Sequence, residues 1–137
     1  MAVCRELVAV NPANGLTLAH YPVLGSDQID TKILGCHRAH KAWQQVGFQQ
    51  RAEALLQLAQ KLESQRDELA ALITREMGKP LDQAAAEIEK CAWVCRDVAA
   101  SGRNHLSSEE IQLDGSVALV VPRPLGVVFA IMPWNFP

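Results

Sequence analysis

The chain has 137 residues, 49% of them apolar and 20% charged, which suits about one folded domain and excludes a disordered or solvating tail. Thirteen Lys plus Arg against fifteen Asp plus Glu leave a net charge of −2, and with 5% aromatic residues there is no basic or base-stacking footprint for nucleic acid. No apolar run nears the ~18 residues of a membrane span, the opening residues Met1 to Glu6 carry no secretory pattern, and four scattered cysteines fit a reducing cytoplasm rather than a disulfide scaffold.

The chain begins with short strands. Val8 to Val10 and Leu16 to Tyr21 flank Asn11-Pro12-Ala13-Asn14-Gly15, and Pro22 closes the second. Asn-Gly supplies the positive φ angles of a reversal, so a β-hairpin is expected. A helical block covers Ser26 to about Leu106. Ser26 suits an N-cap and Asp27 the first turn, where the helix dipole favours negative charge. Ile29, Ile33, Cys36, His40 and Trp43 mark one buried stripe, and Gly47 ends that helix. From about Gln50, Leu55, Leu58, Ala59 and Leu62 form the stripe of a second helix. Ser64 and Asp67 have capping-box spacing for a third, with Leu69, Leu72, Ile73 and Met77 inward. Gly78 and then Pro80 form its stop. A fourth helix follows, with Ala84, Ile88, Cys91, Ala92, Cys95 and Ala99 on one face, Glu87, Lys90, Arg96 and Asp97 off it, and Gly102 starting its end.

Strands then return. Glu110 to Leu113 and Ser116 to Val121 flank Asp114-Gly115, a two-residue hairpin turn. After Pro122 and Pro124, Val127 to Met132 is apolar without alternation, as in a central strand of a parallel sheet covered by helices. Such a strand needs neighbours reached by long crossovers, and no earlier stretch provides one. The expectation is an incomplete α/β fold, the N-terminal piece of a larger protein. Cys91, Cys95 and Cys36 read as packed core thiols and Cys4 as exposed without a role. His40 reads as a satisfied core residue, and no His or Cys spacing here makes a metal set. The dinucleotide fingerprint G-x-G-x-x-G is absent.

The closing segment Arg123 to Pro137, above all Pro133-Trp134-Asn135-Phe136-Pro137, resembles the end of the first nucleotide-fold strand of aldehyde dehydrogenases. Asn11-Pro12-Ala13-Asn14-Gly15 is similar to that family's early hairpin turn, and Glu76-Met77-Gly78-Lys79-Pro80 to its helix-ending motif. Ile73 to Pro80 together with Ala130 to Trp134 is most similar to the bacterial succinate-semialdehyde dehydrogenases within the family. The resemblance implies a cofactor domain from residues 1–105 and 125–137, an oligomerisation hairpin arm over 106–124, and a catalytic domain lying outside these residues.

The family reaction oxidises an aldehyde to the acid with NAD or NADP. A cysteine thiolate attacks the carbonyl, hydride leaves to the nicotinamide, and water hydrolyses the thioester with a glutamate as base. By motif position the resemblance implies that Asn135 is the oxyanion donor, a role that suits an NH2 which donates without titrating. Ile131, Met132, Pro133, Trp134 and Asn135 are expected to line the cofactor cleft beyond the strand's carboxyl end. The resemblance places the nucleophile and base downstream, so the isolated chain is expected to be inactive. The partners implied are a small aldehyde and further copies of the subunit, with neither nucleic acid nor membrane. Two rival readings stand beside this: an interaction module whose hairpin pairs with full-length subunits, and a non-functional truncated product.

Overall fold

A computed structural model describes residues 6–137. Cys4 lies outside the described residues. The first hairpin pairs β1 (Glu6–Val10) with β2 (Thr17–Pro22), antiparallel, with Val8 opposite His20, Ala9 opposite Ala19, and a slip between Ala9 and Val10. The Asn11 carboxamide accepts from the Ala13 N–H at 2.9 Å and that of Asn14 from the Leu16 N–H at 3.0 Å. Gly15 alone supplies positive φ, at 71°, where the sequence suggested a shared Asn-Gly role.

The helical block divides into α1 (Ser26–Trp43), α2 (Phe48–Ser64), α3 (Arg66–Met77) and α4 (Leu81–His105). Two boundary expectations need correction. Gly25, not Ser26, caps α1; its N–H donates to the Gln28 side chain at 3.0 Å, half of a capping box. Ser64 does not cap α3, because its hydroxyl donates back to the Lys61 carbonyl at 2.9 Å and the α2–α3 link is only Gln65. Gly102 starts the last turn of α4, as expected, and the helix ends at His105 with the Leu106 N–H bonded to the Gly102 carbonyl at 3.1 Å.

The core sits where α4 packs on both α2 and α3. Its buried residues among those described are Ala59 of α2, Ala70 and Ile73 of α3, and Ala84, Ala85, Ile88 and Ala92 of α4. Alanines at the contacts let the axes approach closely, since interaxial distance follows side-chain size. Leu62, Leu69 and Met77 pack around this centre. Arg96 pairs with Glu63 at 2.5 Å and Arg66 with Glu89 at 2.5 Å, joining α4 to its two neighbours; exposed pairs of this kind add little stability.

α1 buries nothing. Its helical period is as expected, but Ile29, Ile33 and Trp43 are about half exposed, Cys36 is exposed and His40 half-buried. A stripe of apolar residues marks a face that favours cover; it does not say which segment covers it. The core role expected for Cys36 is therefore not seen. On α4, Cys91 is exposed and Cys95 half-buried, because the buried stripe leans toward Ala85 and Ala92 and leaves Cys91 at its edge.

The second hairpin pairs β3 (Glu109–Leu113) with β4 (Ser116–Val120), turning at Asp114-Gly115 with Gly115 at φ 79°. Both sheets are two-stranded and antiparallel. Val127 to Met132, expected as a parallel strand, is unpaired. Phe129 and Ile131 are 87% and 83% exposed. A central strand exists through the N–H and C=O groups of its neighbours, and no described residue supplies them.

Candidate functional site

Three separately recognised strings meet at the corner between α3 and α4. α3 stops because Gly78 turns to φ 78°, with its N–H on the Thr74 carbonyl at 3.0 Å. A Cβ placed on Gly78 would lie 3.2 Å from Cγ of Pro12, so the Asn11–Gly15 turn rests on this corner. Pro80 then starts α4 at φ −52°, and its carbonyl accepts from the Ala84 N–H at 2.9 Å. Lys79 is the residue held between glycine and proline.

Its side chain is only 12% exposed and reaches three groups. It forms an ion pair with Glu87, whose side chain is also 12% exposed. It donates to the backbone carbonyl of Asn135 at 2.8 Å, and its ammonium stands 4.4 Å from the centre of the Phe136 ring. The Phe136 N–H closes on the Pro133 carbonyl at 3.4 Å, so Trp134 and Asn135 form the tip of a turn. Residues 12, 78–79, 87 and 133–136 thus form one cluster. Sequence reasoning saw the strings but missed Lys79 and Glu87 as partners. Glu87 was placed off the apolar face, and its depth comes from pairing with Lys79.

Gly78→Ala is expected to cost about 1–2 kcal/mol from the left-handed backbone alone, with the Pro12 contact adding to it. The urea midpoint of the purified chain measures this. An unchanged midpoint would mean that the corner is not held as described.

The five residues expected at the cofactor site separate into two groups. Pro133 and Asn135 belong to the turn under Lys79. Ile131, Met132 and Trp134 are 83%, 69% and 78% exposed, with no opposing wall among the described residues. Two grooves lie elsewhere. One, of ≈ 410 Å³, runs between the start of α2 and the end of α4, where the Arg51 guanidinium covers the Phe48 ring at 4.3 Å and its buried Nε has no partner. The other lies between the end of α1 and residues 126–128. Among the described residues no group of three His, Cys, Asp or Glu could hold a metal, and no helix is long and apolar enough to cross a membrane.

The corner and the turn are where the strings characteristic of one family come together, and the aldehyde dehydrogenase family model matches residues 2–137. The chain belongs to the aldehyde dehydrogenase family. It is 38% identical over 131 residues to a probable succinate-semialdehyde dehydrogenase (NADP+) of Synechocystis sp., covering 96% of this chain and 29% of that protein. It is also 38% identical over 130 residues to a succinate semialdehyde dehydrogenase (NAD(P)+) of Escherichia coli, covering 95% of this chain and 28% of that one. The crystal structure of succinate-semialdehyde dehydrogenase from Burkholderia pseudomallei superposes with a TM-score of 0.88 at 30% identity, over 97% of this chain and 28% of that chain. The chain therefore spans less than a third of the length of these relatives, and its fold is the matching part of their α/β architecture. The cofactor of this family is NAD or NADP, as the relatives' names state.

Proposed function

We propose that these residues supply the oxyanion donor and one wall of the cofactor cleft to an aldehyde dehydrogenase acting on succinate semialdehyde. The observation that carries this reading is the Pro133–Pro137 turn, whose backbone is held by Lys79 while Asn135 itself stays exposed. An amide NH2 there can donate to an oxygen that gains charge as a thiolate adds to the aldehyde carbon. The exposed apolar surfaces of Ile131, Met132 and Trp134 fit one wall for a planar ring. The dinucleotide, when bound, accepts the hydride. The thiol nucleophile and the general base are assigned outside these residues, as are those that discriminate NAD from NADP.

In this reading residues 1–105 and 125–137 belong to the cofactor domain and 106–124 to the arm through which subunits pair, in a cytoplasmic homo-oligomer. The arm also supports a second reading, an interaction module that pairs with full-length subunits. Leu113, Val117 and Leu119 on the hairpin are 55%, 55% and 60% exposed, and its outer edges are unpaired among the described residues. Retention of an intact relative by the tagged chain would support that module.

A chimera tests the principal reading: residues 1–137 replace the matching segment of the Escherichia coli relative. The purified chimera is expected to reduce NADP or NAD with succinate semialdehyde, followed as absorbance of the reduced cofactor, while the 137-residue chain alone does not. Turnover by the chain alone would overturn the assignment of the thiol elsewhere. A folded chimera without turnover would overturn the enzyme reading.

A further inference from the structure

We infer that Lys79 is the positioning residue for Asn135, holding the donor's backbone so that its side chain keeps one aim. This deepens the proposed function and rests on the reading of Asn135 as oxyanion donor. A lysine ammonium offers three donors on a flexible stem. Here all its directions are used: the Glu87 carboxylate, the Asn135 carbonyl at 2.8 Å, and the Phe136 ring face at 4.4 Å. Glu87 matches the charge and, with the ring face, offsets the desolvation of the largely buried ammonium.

The geometry matters for the donor. Fixing the Asn135 carbonyl fixes the peptide plane between Asn135 and Phe136. The Phe136 N–H of the same peptide unit donates to the Pro133 carbonyl, so this unit is tied at both its polar edges. That restrains the backbone from which the two side-chain torsions of Asn135 aim its NH2. An oxyanion donor must lie about 2.7–3.1 Å from the charged oxygen, and a displacement of about 1 Å can cost on the order of 100-fold in rate. Phe136 and Lys79 also explain why the residue after the asparagine is aromatic: its ring lies over the ammonium that holds the asparagine.

A lysine that merely stabilised the fold would change global stability. A positioning lysine changes order at the turn. Backbone 15N relaxation of the 137-residue chain separates the two. Lys79→Met is expected to loosen residues 133–136 on the nanosecond scale while α2, α3 and α4 keep their amide dispersion, and Lys79→Arg is expected to restore most of the order. Phe136→Leu, which leaves the ion pair intact, is expected to loosen the turn partially. In the chimera, Lys79→Met should lower kcat about 10- to 100-fold with the KM for succinate semialdehyde held within about twofold, and Lys79→Arg should recover most of it.

Unchanged order at residues 133–136 in Lys79→Met would overturn the inference whatever the activity. So would a loosened turn with full kcat, provided that Asn135→Ala is slow. If Asn135→Ala is itself as fast as the parent chimera, the reading of Asn135 as donor falls, and the inference with it.

Discussion

Asn135→Ala in the chimera is expected to lower kcat by about 100- to 1000-fold, the usual cost of losing one oxyanion donor. The KM for succinate semialdehyde should change little. The carbonyl oxygen is nearly neutral in the bound aldehyde and charged once sulfur has added. A donor aimed at the charged oxygen therefore lowers the barrier without tightening the ground state. The turn at residues 133–136 holds the backbone of Asn135, so on the proposed reading its amide would need little reorganisation. Asn135→Asp is expected to be worse than alanine, because a carboxylate would face the developing negative charge. Initial-rate kinetics across substrate concentration decide the matter: a raised KM with intact kcat would assign Asn135 to substrate binding instead.

Ile88→Ala is expected to destabilise the chain by about 2–5 kcal/mol, read as a lower urea midpoint by helical circular dichroism. Ile88 is 7% exposed and shares its cluster with Ala70, Ile73, Ala84 and Ala85. Three of its four buried neighbours are alanines without rotamers, so closing the void falls to Ile73 and to the partly buried Leu62, Leu69 and Met77. The core has no large fully buried side chain among the described residues, and a loss of this size is a large share of the usual 5–15 kcal/mol of a domain. Leu58→Ala on α2, where Leu58 is 47% exposed, should shift the midpoint far less. Equal shifts in the two variants would mean that the α3–α4 contact is not the centre of stability.

Both hairpins were readable because their turns need particular residues: Gly15 and Gly115 hold the positive φ, with Asn14 and Asp114 before them at negative φ. The helices were readable from period, and the α3 stop from Gly78 followed by Pro80. Burial was less so. The stripe on α1 and the run Val127 to Met132 carry the composition of covered elements, yet the described residues leave most of their apolar side chains half exposed or more, since local pattern reports demand and not supply. Cys91 was misread because a stripe's edge cannot be fixed until the packing partners are known. The site was legible as strings and illegible as a cluster. Lys79 and Asn135 are 56 positions apart, and no periodicity links a residue between two helices to a distant turn.

The Lys79 contact closes a long loop through α4 and the second hairpin, and this sets how freely that hairpin can vary. Closure entropy grows only with the logarithm of length, so doubling a flexible loop costs roughly 0.6 kcal/mol. Residues inserted at Asp114-Gly115 would add to a ring whose ends are already pinned by a cation. The hairpin can therefore lengthen or shorten across variants with little loss of registry at residue 135.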